Sequence, residues 1–538
     1  MTEFEKTEGV SRRAFLSGAA AFGGILAAGA LSGCAPTATN ASTDEAPLAD
    51  TGETAEEAKN VAETIDCDIV VLGAGWSGLA AAVEAMESNV NVVVLERAAT
   101  YGGTGIFTEG MFGSGSSLQK AAGVPDYDVR DMIAEEQEYA HYFTNYWQYE
   151  EFFGTSGENV DWMVNHGVEF GEIDNYQGMG KFDCFHWWKE HNGQQAMDCL
   201  AKALEDGGIN VRYKTSATEL IIEDGAVKGV YAQEDGSKDY LQVNAKAVII
   251  CTGGAAGDLE LIAEKMGIDT TFSASTTGQD STGDGYRMAM QAGAGTRSMC
   301  VLQNSYVYGA GEALNGCATR HCLLAVNNKG RRFMREDLQQ EIDLNIATNC
   351  IRTQGAVHTI FDSSMVDLFE KGSGVYVDYM FGPGIGANLE GLQDEIDGAI
   401  ADDAGSVFKA DTIEELASQM GLDPAVLAET VSNYNGYCEA GKDDEFGTDP
   451  TYLKPVATPP FYAARIDFQI IKSIGGYKLN EDMQLVSATQ QVIPGLYGAG
   501  MDGCAIFGDT YNIAVCGGNS GYCCYSGRKA VQSAIKEL

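Results

Sequence analysis

Residues 67–105 constrain the fold of this chain more than any other stretch of its sequence. The stretch begins with a short apolar, β-branched run at 68–72, which predicts a buried strand. Three glycines follow at G-x-G-x-x-G spacing, then an alanine-rich helical segment and a second apolar run at 92–95 that ends beside Glu96. This order of strand, glycine turn, helix, strand and acid predicts a βαβ unit in a parallel sheet.

Each glycine of this motif has a separate physical role. Gly73 permits the tight turn after the strand, Gly75 lets a pyrophosphate approach the backbone, and Gly78 lets the helix pack closely on the strand. The N-terminus of the helix presents free N–H groups and the positive end of its dipole to phosphates. Glu96 can accept hydrogen bonds from both hydroxyls of an adenosine ribose. We therefore predict a dinucleotide site here rather than an ordinary glycine-rich turn.

A second glycine cluster favours FAD over NAD. Gly102, Gly103, Thr104 and Gly105 follow shortly after Arg97, and a segment of this kind is used in FAD proteins to bring the backbone close to the pyrophosphate and the flavin ring. With these residues the chain resembles the flavoprotein family of fumarate reductases, succinate dehydrogenase flavoprotein subunits and 3-ketosteroid dehydrogenases. The resemblance implies an α/β fold with a Rossmann-like FAD-binding domain of the GR2 type, an inserted α+β capping domain, and FAD as the cofactor.

Further motifs of that family follow in the same order along the chain. They are an Ala-Thr step at 217–218, a glycine-rich contact at 252–254, a Thr-Gly-Asp-Gly element at 282–285 and a V-N-x-x-G-x-R-F-x-x-E element at 325–336. The residues that the resemblance assigns to FAD are Gly73, Ala74, Gly75, Ser77, Gly78, Glu96, Arg97, Gly102, Gly103, Thr104, Gly105, Ala217, Thr252, Gly253, Gly254, Asp284, Gly500, Met501, Asn519 and Ser520.

The resemblance also predicts where the domains begin and end. The FAD-binding domain is expected at 65–299 and 473–538, and the capping domain, which carries the substrate side of the site, at 300–472. Two clusters of aromatic residues, at 142–149 and 182–188, predict hydrophobic core more than a pocket for a flat substrate.

Composition excludes one class of partner. The chain has 34 Lys and Arg against 77 Asp and Glu, a formal net charge of -43, and so has little basic surface to neutralise nucleic-acid phosphates. We take the acidity as a solvated surface. The 14 cysteines show no CxxCH or CxxC spacing, so most are predicted to be small buried residues, and no metal site is predicted. A cluster assembled from distant cysteines stays open.

The first 64 residues predict an export signal and a tether rather than part of the folded domains. A twin-arginine signature at 11–16 precedes an apolar run at 15–31, and a lipobox ends at Cys34. Cleavage before Cys34 and lipidation of its thiol would anchor the protein on the outer face of the cytoplasmic membrane. Residues 1–34 are thus expected to be a signal, and residues 35–64, poor in large apolar side chains, a disordered tether. The alternative is a chance basic N-terminus followed by an apolar run.

The chain departs from the family where a dicarboxylate would bind. The family's His-His-Thr-x-Gly-Gly becomes Ile-Lys-Ser-Ile-Gly-Gly at 471–476, and its Q-x-H-P-T element becomes Gln-Asn-Ser-Tyr at 303–306. The position of its proton-donating arginine corresponds to Gln340, and its C-terminal G-A-N-R becomes Gly-Asp-Thr-Tyr at 508–511. Because four charged groups that define a dicarboxylate site are missing, we do not expect fumarate to be the substrate.

Tyr511 is the leading candidate for a catalytic acid. Residues 508–511 resemble the G-H-T-Y of ketosteroid dehydrogenases, in which the tyrosine polarises an enone carbonyl, although the glycine that follows there is Val515 here. A phenol keeps its proton at pH 7 and can donate a hydrogen bond to a developing enolate. The alternative is that Tyr511 packs beside the flavin without a role in proton transfer.

Three further residues are candidates for the substrate side. Lys472 occupies a substrate-facing slot by motif alignment, where it could bind an anion or a carbonyl or point to solvent. Arg320 is expected near the position of the family's proton-relay arginine, and Tyr306 as a pocket wall or secondary donor. Replacing arginine clamps with phenols shifts the expected substrate from a small dianion to a larger enone or conjugated acid derivative.

Three functions are compatible with these residues. The first is an exported FAD-dependent reductase of an activated C=C bond, which takes electrons from a separate membrane or surface donor such as a quinol or a cytochrome. The second is a 3-ketosteroid-type dehydrogenase working in the opposite direction on the same fold. The third is a flavin electron-transfer protein without a substrate of its own. Nucleic acid is not expected as a partner.

Overall fold

The computed structural model describes residues 59–340, 346–371, 388–402 and 404–538. The predicted signal, the lipobox and most of the predicted tether lie outside the described residues. Among the described residues, no helix is both long and apolar enough to cross a membrane.

The strands are β1 (Val61–Leu72), β2 (Val92–Leu95), β3 (Gly110–Phe112), β4 (Phe170–Asp174), β5 (Phe185–Trp188), β6 (Val211–Arg212), β7 (Thr215–Glu223), β8 (Ala226–Glu234), β9 (Tyr240–Ile250), β10 (Ser273–Ser275), β11 (Thr296–Tyr306), β12 (Ala325–Val326), β13 (Val357–Asp362), β14 (Val407–Ala410), β15 (Phe461–Tyr477), β16 (Gln484–Val486) and β17 (Val492–Gly498). The helices are α1 (Trp76–Glu87), α2 (Ser117–Ala122), α3 (Val129–Tyr139), α4 (Tyr146–Asn165), α5 (Gln194–Asp206), α6 (Leu259–Met266), α7 (Asp284–Gln291), α8 (Glu312–Arg320), α9 (Ile346–Ile351), α10 (Ser363–Glu370), α11 (Leu392–Ala401), α12 (Ile413–Gln419), α13 (Pro424–Ala440) and α14 (Gly518–Ile535). Short 3-10 helices span Gly103–Phe107, Glu336–Gln340, Pro450–Tyr452 and Gly500–Gly503.

The predicted βαβ unit lies at the centre of the larger sheet. In the described part of the chain this sheet has eight strands, in the order β16-β17-β9-β1-β2-β6, with the β7–β8 hairpin attached to β9. Strand β1 runs parallel to β2 and to β9, and Leu72 lies opposite both Leu95 and Ile250. Because the carboxyl ends of parallel strands meet at one edge, the residues that follow these three positions converge. This arrangement confirms the predicted α/β fold.

Two local features follow directly from the sequence, and two predictions are corrected. Asp224 and Gly225 both have positive φ, as the tight turn of the β7–β8 hairpin requires. The side chain of Asp423 caps α13 by accepting hydrogen bonds from two backbone N–H groups. The predicted tether ends earlier than residue 64, because β1 already begins at Val61 and pairs with β9. In the first predicted aromatic cluster, Tyr142 and Phe143 are exposed rather than core residues.

A second sheet has its own hydrophobic core. It contains β10, β15, β13 and β12, with β11 and β14 also paired to β15. Buried residues from 307 to 468 form a cluster separate from the core of the larger sheet. Strands β11 and β15 pair antiparallel from Thr296–Tyr477 to Tyr306–Asp467, and together they run across both predicted domain boundaries. The two sheets are therefore joined through a two-stranded ribbon, whose register shifts after Thr296 and after Leu302.

Candidate active site

The glycine turn after β1 can be built only with glycines at two of its positions. Gly73 has a φ of 109°, and a Cβ there would lie 2.5 Å from the carbonyl oxygen of Cys251. A Cβ at Gly78 would overlap the carbonyl oxygen of Gly73. Gly75 caps α1 without any side-chain hydrogen bond, and the first turn of that helix carries no acidic residue. The helix N-terminus is therefore open to an anionic ligand.

Glu96 is held in place at the end of β2. Its carboxylate accepts hydrogen bonds from the backbone N–H of Ala74 at 2.7 Å and of Ala98 at 2.6 Å. Each oxygen keeps a lone pair that a ribose hydroxyl could use. The cavity beside it has a volume of about 70 Å³ and is lined by Leu72, Gly73, Leu95, Glu96, Arg97, Thr215, Ser216, Ala217, Thr252, Asp280, Thr282 and Asp284. The structure thus brings together six of the residues that the resemblance assigns to FAD.

The second glycine cluster lies against the first. The N–H of Gly102 donates to the carbonyl of Ala74 at 2.9 Å, and Gly102 forms a bridge with Gly75. Gly103 is left-handed, and no atom lies within 4 Å of the position that its Cβ would occupy. This open space beside two apposed glycine turns fits a pyrophosphate that approaches bare backbone. The residues present therefore fit FAD.

Arg97 and Asp284 meet although they lie far apart in sequence. The guanidinium of Arg97 donates to Thr282 Oγ1 at 2.7 Å and to Asp284 Oδ2 at 2.9 Å. Asp284 begins α7, where a carboxylate is favoured by the helix dipole. The pair closes one side of the cavity that Glu96 lines.

The C-terminal residues assigned to FAD also have defined places. Gly500 is left-handed, and a Cβ there would lie 2.5 Å from Ser77 Oγ. Met501, in the same 3-10 helix, is buried. Asn519 lies in the first turn of α14, whose N-cap has no side-chain hydrogen bond, whereas Ser520 donates to the carbonyl of Gly110 at 2.6 Å.

Asp502 is a site residue that sequence reasoning missed. Its buried carboxylate accepts hydrogen bonds from the N–H groups of Gly253 at 2.7 Å and Gly254 at 3.0 Å, and from Thr252 Oγ1 at 3.0 Å. Burial raises the pKa of Asp502, and these hydrogen bonds oppose that rise. Asp502 thus shapes the loop that the resemblance assigns to FAD. The feature of the sequence that could have identified Asp502 is an acidic residue within an otherwise apolar, glycine-rich segment.

Lys472 lies against the same loop. It is partly exposed on β15, and its Nζ is 3.4 Å from the position that a Cβ of Gly253 would occupy. Burial lowers the pKa of Lys472, while the Asp502 carboxylate opposes that effect. The ammonium group is therefore on the cofactor side of the site, next to a loop assigned to FAD.

We expect Lys472→Met to weaken FAD binding about tenfold, because a partly buried cation beside an anionic ligand contributes about 1.5 kcal/mol. Titration of the apoprotein with FAD, followed by flavin fluorescence, measures the dissociation constant. Lys409→Met, which removes an exposed lysine paired with Asp397 in the capping domain, is the matched control. Unchanged FAD affinity together with a raised substrate KM would instead assign Lys472 to the substrate.

Tyr511 belongs to the core of the larger sheet, next to a contact with the capping domain. It is only 8% exposed, and its ring centroid is 4.7 Å from that of Phe507. The neighbouring Thr510 accepts a hydrogen bond from Asn349 of α9 in the capping domain at 2.9 Å. On the other side, Asp509 Oδ1 lies 3.5 Å from Nδ1 of His141. The loop at 508–511 is therefore held from both domains.

Tyr306 and Arg320 both lie in the capping domain. Tyr306, on β11, pairs with Asp467, and burial with the nearby Asp467 charge raises its pKa to about 12. Arg320 ends α8, which contacts the 3-10 helix Glu336–Gln340. Their roles stay predictions. Among the described residues no group of His, Cys, Asp and Glu is arranged to hold a metal ion.

The fold and the site define a two-domain flavoprotein with an FAD site at the carboxyl edge of a parallel sheet. The family described as FAD binding domain matches residues 68–519, and the chain belongs to it. The chain is 32% identical to a vinyl phenol reductase of Lactiplantibacillus plantarum, over 87% of this chain and 96% of the relative. The cofactor is FAD, as predicted.

Two solved structures share the fold. One is the open conformation of a flavocytochrome c3 fumarate reductase, with a TM-score of 0.60 and 24% identity, covering 88% of this chain and 79% of the other. The other is the 3-ketosteroid-Δ4-(5α)-dehydrogenase of Rhodococcus jostii, with a TM-score of 0.62 and 20% identity, covering 87% of this chain and 97% of the other. The predicted resemblance to this group of flavoproteins is therefore confirmed.

Proposed function

We propose that this protein is an FAD-dependent reductase of activated C=C bonds whose substrate is not fumarate. The observation that carries the proposal is a buried phenol, Tyr511, on a loop held between the FAD-binding and capping cores. The similarity to a vinyl phenol reductase supports an alkene conjugated with an aromatic ring.

Asp509 lies on the same loop as Tyr511, and its carboxylate is half exposed. It would repel a second negative charge, because like charges disfavour each other within a few ångströms. Arg352 interacts electrostatically with Asp509 and offsets part of that repulsion. The argument against a small dianion therefore rests on the family residues that are replaced at 303–306, 340, 471–476 and 508–511.

When bound and reduced by an external donor, the flavin would supply the hydride for one carbon of the double bond. Tyr511 donates its hydrogen bond, and then its proton, to the side of the substrate on which negative charge develops. Phe507 covers one side of the phenol and keeps water from it. The hydrogen bond between Asn349 and Thr510 orients the loop that carries the acid.

The experiment that tests the proposal is anaerobic. The flavin of the purified protein is photoreduced, and its reoxidation is followed with fumarate, urocanate, cinnamates, vinyl phenols, simple enones and 3-keto-4-ene steroids. We expect selective reoxidation by a conjugated alkene. Fast reoxidation by fumarate would refute the substrate class, and no reoxidation by any alkene would favour an electron-transfer protein. Reduction of the oxidised flavin by a saturated ketosteroid would favour the dehydrogenase.

We also propose that the protein is exported by the twin-arginine route, anchored by a lipid on Cys34, and reduced by a separate quinol or cytochrome. The motifs at 11–16 and 31–34 support the first two proposals. We expect Cys34→Ala to move the protein from the membrane fraction to the soluble extracytoplasmic fraction. Retention of the variant in the membrane fraction would contradict lipidation at this residue.

A further inference from the structure

Arg352 is a partly buried cation at the end of α9. Its backbone N–H donates to the carbonyl of Thr348 at 3.0 Å, which continues the helical turn as far as this residue. Within the part of the chain that the structure describes, its guanidinium forms no hydrogen bond and no ion pair. The chain has 77 Asp and Glu against 34 Lys and Arg, so carboxylates are plentiful. A partly buried guanidinium that pairs with none of them indicates an anionic ligand.

The position of Arg352 follows from a neighbour on the same helix. Asn349 Nδ2 donates to Thr510 Oγ1 at 2.9 Å, so this face of α9 lies against the loop at 508–511. Arg352 comes three residues later, and residues spaced by three or four positions share a helical face. Helix α9 also contacts β11. The guanidinium therefore lies beside the loop that carries the proposed acid.

The nearby Asp509 does not cancel the charge of Arg352. The two residues interact electrostatically, but no ion pair joins them, and both are among the described residues. The Asp509 carboxylate has Nδ1 of His141 at 3.5 Å instead. Burial lowers the pKa of Arg352, and the Asp509 carboxylate opposes that effect. An arginine stays protonated in proteins, so the site keeps one positive charge.

Asn349 has a second group that indicates a ligand. Its Oδ1 is buried and forms no hydrogen bond with any described residue. Buried polar groups in native proteins are nearly always paired, so an unpaired amide end beside this loop suits a polar ligand group. The hydroxyl of Thr510 can donate as well as accept, so the amide can turn over, keep that bond and present its N–H2 group. In that orientation Asn349 and Arg352 both offer donors to one anion.

We propose that Arg352 and Asn349 bind the one carboxylate of an aromatic alkene, and that the substrate is a monoanion. The inference rests on the proposed function. A guanidinium binds a carboxylate through two parallel N–H···O bonds, which give both strength and a fixed orientation. Asp509, on the same loop, would repel a second carboxylate.

The proposed subsite differs from the one that the family resemblance predicts. Arg352 lies outside the segments at 303–306, 340, 471–476 and 508–511, where the charged residues of a dicarboxylate site are replaced. Those replacements remove the groups that would hold two carboxylates. Arg352 supplies one guanidinium from a different helix, which suits a substrate with one carboxylate.

The kinetic test compares an acid with its ester in the holoenzyme, with an artificial electron donor. Cinnamate and methyl cinnamate share the aromatic ring and the double bond, but only cinnamate is charged. Arg352→Met should raise the KM for cinnamate about 10- to 100-fold, the factor that a hydrogen bond to a charged group contributes. The KM for methyl cinnamate should stay within twofold, because the ester has no charge to lose a partner.

A binding measurement tests the same residue without turnover. The saturated acid 3-phenylpropanoate and its methyl ester are titrated into the oxidised holoenzyme, and the change in flavin absorbance gives each dissociation constant. We expect the acid to bind at least about tenfold more tightly than the ester, and Arg352→Met to remove this difference. Arg352→Lys keeps the charge without the planar guanidinium and should restore part of it. Arg331→Met, which removes an exposed arginine of the capping domain, is the matched control and should change neither constant.

Equal weakening of acid and ester binding in Arg352→Met would show that the side chain only supports the loop, and would overturn the proposal. Equal binding of acid and ester by the unchanged protein would overturn it as well, and so would a preference for the acid that survives in Arg352→Met. If the acid binds through Arg352 but no alkene reoxidises the reduced flavin, the proposed function fails while the carboxylate subsite stands.

Discussion

Replacing Tyr511 with phenylalanine is expected to lower the rate of alkene reduction by about 100- to 10,000-fold, the range that a positioned general acid contributes. The substitution removes one hydroxyl and keeps the ring that packs 4.7 Å from Phe507. The loop should therefore keep its shape, since Thr510 remains bonded to Asn349. FAD content, measured by flavin absorbance, should be unchanged.

The phase in which activity is lost identifies the role of Tyr511. A group that gives its own proton to substrate is needed in every cycle, so Tyr511→Phe should already slow the first turnover of the reduced protein. Stopped-flow reoxidation of the reduced protein with the alkene measures this phase. Tyr462→Phe is the control, because it removes a buried hydroxyl that donates to Gln393 in the capping domain at 3.2 Å. A normal first turnover in Tyr511→Phe would show that Tyr511 packs beside the site and does not donate the proton.

Replacing Gly78 with alanine is expected to abolish FAD binding and to lower the free energy of unfolding by about 3 kcal/mol, the upper range for overpacking a core. The new methyl group would overlap the carbonyl oxygen of Gly73, which is backbone at the turn itself. Gly73 cannot move aside easily. Its N–H donates to the carbonyl of Leu95, and its Cα packs closely against the backbone of Cys251. Helix α1 would have to separate from β1.

Gly436→Ala is the matched control for that substitution. Gly436 lies within α13, and no atom comes within 4 Å of the position that its Cβ would occupy. Alanine there should stabilise the protein by about 0.5–1 kcal/mol, because it reduces the backbone freedom of the unfolded chain. Urea unfolding and flavin absorbance measure both effects. A Gly78→Ala protein that retains FAD and its unfolding midpoint would contradict the close packing.

The parts of the site that sequence predicts well are those whose geometry is local. Gly73, Gly78 and Glu96 lie within one βαβ unit, and each is required by the turn, the packing or the strand end beside it. The parallel pairing of β1 with β2 and β9 then brings Thr252 to the same edge. For these residues the chemistry of one short stretch determines the position.

Contacts between distant segments could not be predicted in this way. Asp502 accepts hydrogen bonds from the N–H groups of Gly253 and Gly254, which lie almost half of the chain away in sequence, and no sequence motif predicts that contact. Tyr176 lies between the two aromatic clusters that we predicted to be core, and its left-handed φ depends on hydrogen bonds to Asp174.

The orientation of Lys472 shows a different limit. The β11–β15 ladder pairs Leu302 with Lys472 but Gln303 with Ile470, so Ile471 is an extra residue in β15. A bulge of this kind changes the direction of the side chains beside it. Motif alignment counts residues and does not detect the bulge, so it could not predict that the Nζ of Lys472 lies beside Gly253, and the substrate-facing role of Lys472 stays a prediction.

The ribbon of β11 and β15 has a mechanical consequence. The ladder between these strands is interrupted after Thr296 and beside Ile471. Between the interruptions, the strands deform by twisting, which keeps the hydrogen bonds, more readily than by folding at a point, which breaks them. Rotation of the capping domain would therefore be transmitted as torsion into β15, the strand that carries Lys472 and Ser473. Entry of a substrate would then also change the electric field at the cofactor. A molecule that draws the cap toward the sheet also changes the distance between an ammonium group and the loop at Gly253.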